Sequence, residues 1–137
     1  QDFSDPPCSS VTMAMLRSAV RMGGLWRQSM VRCADNTGIV KACIIGLGKN
    51  QWGTGSTGQR IRVSVRDQTP AYNGPKMPKG IIFRTKMPVR RKDGSHIKFD
   101  ENAFIVVAKN KAKGTKIKGP VAQEIQHSSK HLAKWIF

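Results

Sequence analysis

Acidic residues are scarce in this chain of 137 residues. Eight Asp and Glu stand against 24 Lys and Arg, so the formal net charge is +16 and the pI is near 10.6. This excess is larger than a domain of this size needs for solubility. The composition therefore indicates a polyanionic partner, either a nucleic acid or an anionic membrane surface. The length predicts one domain with its own core.

Long apolar runs and paired cysteines are also missing. No stretch approaches the ~18 to 20 consecutive apolar residues of a spanning helix, which excludes a membrane span. Cys8, Cys33 and Cys43 are odd in number and lack C-x-x-C spacing, so we expect neither a disulfide framework nor a zinc site. Ordinary buried or half-buried thiols in a reducing compartment are the expected state.

No catalytic, cofactor-binding or metal-binding set can be identified. Gly53, Gly55 and Gly58 match G-x-G-x-x-G, but a strand is predicted to follow them, which favours a connecting loop over a nucleotide site. His127 and His131 lie at i, i+4 without a third ligand, which favours exposed helix surface. Spacing also indicates no nucleophile–base set and no carboxylate pair. We therefore expect no enzyme activity, cofactor or metal.

The first thirty residues differ from the rest in their hydrophobic periodicity. In "SSVTMAMLRSAVRMGGLWRQSM", apolar residues fall on one helical face and Arg17 and Arg21 on another, with no acid. Such a leader is typical of what remains of an organellar targeting segment, and a basic arm that folds on its partner is the alternative. We expect an N-terminal extension over residues 1–29 and a β domain over residues 30–137.

A period of two dominates after Met30. In "QRIRVSVRD" the residues Ile61, Val63 and Val65 face one side and the arginines face the other, which predicts a half-buried strand with a cationic outer face. Other β-branched or aromatic runs lie between turn residues at 39–47, 80–86, 95–99 and 103–108. The pattern predicts a mainly β fold, a small closed barrel.

The sequence pattern near the C-terminus again indicates helices. Pro120 suits a first helical turn, and a last short helix is expected to carry Leu132, Trp135 and Ile136. Short C-terminal helices are therefore expected beside the barrel.

Cations cluster around one Asp-Gly pair. Asp93-Gly94 predicts a two-residue hairpin with a type I′ turn, whose central residues both need positive φ. The flanking strands carry Arg84, Lys86, Arg90, Arg91, Lys92, His96 and Lys98, and a second acid-free run adds Lys109, Lys111, Lys113, Lys116 and Lys118. Self-repulsion in such clusters is offset when phosphates lie among the cations. Two runs in one small domain favour nucleic acid over a merely solvated basic face.

RNA is favoured over DNA. The sequence contains no helix-turn-helix, no paired Cys and His finger and no basic heptad helix, which are the usual devices for entering a DNA major groove. Small barrels with basic loops commonly meet RNA through shape and phosphate. With nine aromatic residues in all, recognition is expected to depend on the backbone rather than on base stacking.

Four segments together resemble one known family. "CADNTGIVKACIIGLG", "STGQRIRVSVRDQTP", "KGIIFRTKMPVRRKDGSHIKFDENAFIVV" and "GTKIKGPVAQEI" are similar, in order, to large-subunit ribosomal protein fourteen. The resemblance implies a five-stranded β-barrel with a protruding β-hairpin and small C-terminal helices, bound to large-subunit rRNA and facing the small subunit. It also implies ribosomal proteins three and nineteen as neighbours, small-subunit rRNA across the interface and a docking face for a ribosome-silencing factor.

The resemblance and the cationic runs together place the site residues. The expected rRNA-binding residues are Lys49, Arg60, Arg62, Arg66, Arg84, Thr85, Lys86, Arg90, Arg91, Lys92, Ser95, His96, Lys98, Lys109, Lys111 and Lys113. The intersubunit or silencing-factor face is expected at Thr115, Lys116, Lys118 and Lys130, and the structural turns at Asp35, Asn36, Gly38, Asp93 and Gly94. The leader favours a mitochondrial member of the family over a plastid or cytoplasmic one.

Two alternatives stay open. A cationic binder of anionic membrane surfaces would be led by the N-terminal amphipathic segment. An enzyme would use "GTGSTG" to hold a nucleotide.

Overall fold

The computed structural model describes residues 24–48 and 53–127. The strands in chain order are β1 (Met30–Cys33), β2 (Ile39–Gly46), β3 (Arg60–Gln68), β4 (Lys79–Arg84), β5 (Val89–Arg90), β6 (His96–Ile97), β7 (Ala103–Ala108) and β8 (Lys111–Ala112). A 3-10 helix, Gln123–His127, follows them. The helical pattern predicted before residue 24 and the helix predicted around Trp135 lie outside the described residues.

Five strands close into a barrel. β1, β2, β3, β4 and β7 are antiparallel neighbours in that order, and β1 pairs with β7 in parallel to close the ring. In this closing ladder Arg32 lies opposite Ala103 and Cys33 opposite Phe104. Closure leaves these five strands without a free edge. The prediction of a mainly β, closed five-stranded barrel is confirmed.

β3 shows the alternation that its sequence predicts. Ile61 and Val63 are buried and Val65 is half-buried, while Arg60, Arg62 and Arg66 are exposed. Inward-facing residues of the other four barrel strands complete the interior, including Val31, Ile44, Ile82 and Phe104. Burial of these β-branched and aromatic side chains is the main stabilising contribution to the barrel.

Packing begins before β1. Leu25 belongs to the interior cluster and exchanges backbone hydrogen bonds with Gly55 in both directions, at 3.2 and 2.6 Å. Leu25 lies within residues 1–29, which were predicted to form a separate extension, yet its side chain packs into the barrel. Gly55 itself lies in the loop that connects β2 to β3, and a strand follows this loop, as predicted.

β4 and β7 are buried on both faces. Ile81, Phe83 and Ile105 point out of the barrel into a second cluster, where Ala122 and Ile125 of the C-terminal segment cover them. This outer cover explains why these two strands read as continuous apolar runs rather than as alternating ones. The C-terminal segment makes one 3-10 helix within the described residues, so the α-helical prediction beginning near Pro120 is corrected there.

The basic hairpin differs from its prediction. β5 and β6 pair Val89 with Ile97 and Arg90 with His96, two residues on each side. Arg91 N donates to Ser95 O at 2.9 Å and Gly94 N donates to Arg91 O at 3.2 Å, which makes a three-residue loop with Gly94 alone at positive φ, +90°.

The predicted type I′ turn at Asp93-Gly94 is therefore wrong. Three-residue hairpin loops ordinarily place a glycine in the left-handed region after a turn of ordinary φ. The two positive φ values of a type I′ turn occur instead at Lys109 and Asn110, 48° and 64°, between β7 and β8. A protruding finger is not confirmed, since the paired part of the basic hairpin is short.

Within the two described ranges, no helix is long and apolar enough to cross a membrane.

Candidate nucleic-acid interface

Some of the cations are neutralised within the chain. The ion pairs among the described residues are Arg84 and Arg32 with Glu101, Lys41 with Asp67, and Arg91 with Glu124. These pairs occupy most of the carboxylates that the described part offers at its surface. They separate the basic residues into a paired set and an unpaired set.

The unpaired cations are all exposed. None of them has a carboxylate of the described residues within 4.0 Å. From the predicted rRNA-binding and intersubunit sets, this unpaired set contains Arg60, Arg62, Arg66, Lys86, Arg90, Lys92, Lys98, Lys109, Lys111, Lys113, Lys116 and Lys118. Exposed cations without a carboxylate partner among the described residues are the groups that remain available to an external polyanion.

The outer face of β3 continues onto β4. Arg62 lies directly opposite Lys79 in the antiparallel ladder, and Arg60 lies opposite Ile81. Like charges directly opposite each other on two strands are destabilising. Lys79 was not among the predicted site residues, because its partner on β3 is set by strand register rather than by local sequence.

Arg84 and Thr85 are not part of the exposed set. Arg84 is 5% exposed, and its guanidinium donates to Glu101 Oε1 at 2.7 Å and to Lys118 O at 2.8 Å. Thr85 is 3% exposed, and its hydroxyl donates to Met87 O at 3.2 Å. Both were expected to contact RNA. Their burial gives them internal structural roles instead.

Arg91 fastens the hairpin to the 3-10 helix. Its Nε donates to Glu124 Oε1 at 2.7 Å, and both side chains are partly shielded from solvent. Burial raises the pKa of Glu124, but the hydrogen bond from Arg91, a backbone hydrogen bond and the charge of Arg91 together outweigh it, so the pKa lies below its ordinary value. Arg91 is therefore a link between two segments as well as a cation.

Asp93 shapes the hairpin loop. Its Oδ1 accepts hydrogen bonds from Ser95 N at 3.0 Å and from Ser95 Oγ at 2.8 Å. These bonds from Ser95 lower the pKa of Asp93. Ser95 is thus engaged with the loop, while the neighbouring His96 side chain is exposed.

The turn after β1 is built around buried Asp35. Its Oδ1 accepts from Thr37 N at 3.1 Å, from the Thr37 hydroxyl and from Cys33 Sγ at 3.0 Å, while Oδ2 accepts from Val106 N at 2.9 Å. Asp35 therefore bonds its own turn, as such residues do. Burial, then the adjacent Asp35 carboxylate, raises the pKa of Cys33 to about 12, which keeps that thiol protonated.

Asn36 reaches a distant segment instead of its own turn. Its Oδ1 accepts from Thr115 N at 2.9 Å and Lys116 N at 3.3 Å, and its Nδ2 donates to Thr115 Oγ1 at 2.8 Å. Lys118 N also donates to Ala34 O at 2.7 Å. Residues 34–36 thus hold the segment 115–118, in which Thr115, Lys116 and Lys118 are exposed, against the barrel. Sequence reasoning missed this contact because the two segments lie about eighty residues apart.

Gly38 completes the turn. Its φ is +96°, and a Cβ there would lie 2.7 Å from Thr69 Oγ1. Thr69 in turn donates to Gly38 O from its backbone N at 2.8 Å and from its hydroxyl at 3.0 Å. Only glycine fits this position without strain.

Comparison with known proteins agrees with this geometry. A family model described as ribosomal protein L14p/L23e matches residues 24–135. The chain belongs to this family. Large ribosomal subunit protein uL14 of Haloarcula marismortui is 35% identical over 108 residues, which cover 74% of this chain and 81% of that protein. The protein of the same name from Natronomonas pharaonis is 34% identical over the same coverage.

Membership of the L14p/L23e family makes this chain a structural protein of the large ribosomal subunit and not an enzyme. The match spans the turn at 34–38, the basic hairpin and the 115–118 segment.

Some predicted positions cannot be placed. Lys49 and Lys130 lie outside the described residues, as do the side chain of His127 and the whole of His131. Among the side chains that are described, no group of three His, Cys, Asp or Glu residues is arranged to hold a metal ion.

Proposed function

We propose that this L14p/L23e-family protein binds large-subunit rRNA through its unpaired cations and presents residues 115–118 on the intersubunit face. The observation that carries the proposal is the separation of the basic residues into two sets. Carboxylates engage one set, while the cations of β3, of the hairpin other than Arg91 and of the 109–118 run form no ion pair with a described carboxylate.

The rRNA-binding surface is the outer face of β3 together with the hairpin. Arg60, Arg62 and Arg66 project from a strand whose inner face is locked into the core, so their backbone positions are rigid. Arg90 lies on β5, paired with His96, and Lys92 lies in the loop that the hydrogen bonds from Ser95 to Asp93 hold in one shape. A preorganised array of this kind neutralises phosphates with little loss of conformational entropy.

The intersubunit surface is the segment 115–118. Thr115, Lys116 and Lys118 are exposed, and Asn36 and Ala34 bind the backbone of this segment from the barrel side. The family resemblance extends the proposal to ribosomal proteins three and nineteen as neighbours, small-subunit rRNA across the interface and a ribosome-silencing factor on the same face, with Lys130 contributing.

We place the protein in the mitochondrial ribosome on the composition of residues 9–30, which are acid-free and carry arginines on one face of an amphipathic pattern. Residues 1–29 then serve as the remnant of a targeting segment or as an rRNA-binding arm. Import of a fusion of residues 1–29 to a reporter into isolated mitochondria tests this, and a reporter that stays outside removes the support that this segment gives to the mitochondrial assignment.

Salt dependence tests the rRNA-binding proposal. If six to ten phosphates are engaged, the affinity for large-subunit rRNA falls by roughly three to five orders of magnitude between about 50 and 200 mM salt. Binding of the full chain is measured by filter retention. Affinity that does not change with salt would refute phosphate neutralisation.

A pair of double variants localises the binding surface. Arg90→Gln with Lys92→Gln removes two unpaired hairpin cations, and we expect the log–log salt slope to fall by about 1.4 to 1.8. Arg32→Gln with Lys41→Gln removes two exposed cations that already face carboxylates, and the slope should change by less than half as much. Equal effects of the two pairs would argue against a role for the hairpin in particular.

A further inference from the structure

A cleft of about 320 Å³ opens where the ends of β2, β3, β4 and β7 meet. Four exposed cations line it, and the wall between them is formed by small or apolar residues of the strands. The residues that matter here are Arg60, Arg62, Lys79, Lys109, Gly46 and Gly80. The volume lies at the lower end of the ~300–1,000 Å³ range that small-ligand sites occupy.

The lining of the cleft carries no carboxylate. Strand register brings Arg62 and Lys79 face to face, and none of the four cations forms an ion pair with a described acid. No described acid relieves the electrostatic repulsion among them, and an anion bound in the cleft would do so. The charge therefore points to a phosphate-bearing ligand, while the apolar wall points to a flat, weakly polar group beside the phosphate.

Gly46 keeps the cleft open. A Cβ at this position would make an ordinary contact, 3.8 Å from the Cβ of Arg62, so its side chain would grow along the same face as that arginine. Gly46 is not among the residues with positive φ, so the backbone does not require a glycine there. The space that a larger residue would fill is therefore the distinctive property of this position.

We infer that this cleft receives a single unpaired nucleotide of the rRNA, with its base against the wall near Gly46 and its phosphate among the four cations. Arginine side chains add planar surfaces on which a base can stack. A base inside a duplex is held in its stack and cannot enter. The inference rests on the proposed rRNA-binding function and adds a position at which single-stranded RNA is preferred.

Filling the cleft without changing its charge tests the inference. Gly46→Leu occupies the space and keeps all four cations. We expect the full chain carrying this change to bind an unstructured ten-nucleotide RNA about tenfold more weakly, by fluorescence anisotropy, and a hairpin RNA duplex with less than about twofold change. Equal affinity of the variant and the wild type for the single strand overturns the inference, and so does an equal loss for both RNAs.

Two matched double variants that remove charge provide a second test of the inference. Arg62→Gln with Lys79→Gln removes two cleft cations, and Arg66→Gln with Lys76→Gln removes two exposed cations outside the cleft. The cleft pair should lower the preference for single-stranded over duplex RNA at least fivefold, whereas the outside pair should weaken both RNAs alike. Equal effects of the two pairs on that preference overturn the inference. If Gly46→Leu does not fold, as judged by circular dichroism, this pair alone decides.

The outcome is separable from the proposed function. Large-subunit rRNA binding by the wild type that is insensitive to salt would refute the proposed function. A Gly46→Leu variant that keeps the wild-type preference for single strands, while the salt dependence persists, would refute only the cleft as a nucleotide site.

Discussion

Replacement of Glu101 by Gln directly tests the separation of the basic residues into an ion-paired set and an unpaired set. Glu101 Oε1 accepts a 2.7 Å hydrogen bond from buried Arg84, and its other oxygen lies 3.6 Å from exposed Arg32. Glu101→Gln keeps the shape of the side chain and removes its charge. The new amide oxygen can still accept from Arg84, beside the carbonyl oxygens of Lys118 and Pro120 at 2.8 and 3.3 Å, but the carboxylate charge that neutralised the buried guanidinium is lost.

The expected cost follows from the exposure of the two groups. Removal of one partner from a buried pair costs ~3–5 kcal/mol, and a hydrogen bond to a charged group contributes ~1.5–3 kcal/mol. The Arg84 side chain is 6% exposed but that of Glu101 is 38% exposed, so water screens part of the interaction. With the two backbone carbonyls and the new amide oxygen still available to Arg84, we expect the loss of the carboxylate charge in Glu101→Gln to lower the free energy of unfolding by ~2 kcal/mol.

Arg32→Gln is the matched control. It removes the weaker contact of the same carboxylate, whose arginine is 68% exposed, and should cost less than ~0.5 kcal/mol. Urea denaturation of the full chain, followed by tryptophan fluorescence, measures both variants. If Glu101→Gln costs no more than Arg32→Gln, then Arg84 does not depend on this carboxylate, and its separation from the RNA-binding set loses its physical basis.

Three further predictions concern the turns and the thiol. The pKa of the Cys33 thiol is raised from 9.0 to about 12, so the stability that the protonated thiol contributes is complete below pH 9 and is lost as the pH rises toward 12. Between pH 7 and pH 10 the free energy of unfolding should fall by ~1.4 kcal/mol for this reason. Cys33→Ala should remove this fall from denaturation curves measured at the two pH values. Gly94 and Gly119 both have positive φ, +90° and +84°, but a Cβ at 119 would overlap Arg84 Nη1, whereas one at 94 meets nothing within 4 Å. Gly119→Ala should therefore lower the free energy of unfolding by at least ~1 kcal/mol more than Gly94→Ala. Asn36→Ala, which frees residues 115 and 116, should lower stability by ~1–2 kcal/mol and weaken subunit joining in sedimentation profiles without reducing incorporation into the large subunit.

Each of these has a clear contrary result. A wild-type stability that stays constant between pH 7 and 10 relative to Cys33→Ala would contradict the buried thiol. Equal destabilisation by the two glycine replacements would contradict the close approach of Arg84 to residue 119. Normal subunit joining with Asn36→Ala would remove the role proposed for the 115–118 segment.

Local patterns predicted the barrel strands well. The alternation over β3 reports which side of one strand meets the core, and it needs no information from elsewhere in the chain. The same reasoning failed to foresee the double burial of β4 and β7, because the outer cover comes from Ala122 and Ile125, which are distant in sequence. It also assigned the type I′ turn to Asp93-Gly94, where the bonds of Asp93 to Ser95 support a longer loop.

The sequence by itself determined the excess of positive charge, the β character and the segments that carry the cations, since these follow from composition and short-range periodicity. Only the tertiary structure decided which cations are free. Arg84 is buried by Glu101 and by the backbone at residues 118 and 120, while Lys79 joins Arg62 through strand register. Ion pairs and clefts depend on distances in space. Folding of the barrel brings together residues that are far apart in the sequence, and no local sequence pattern predicts which of them will meet.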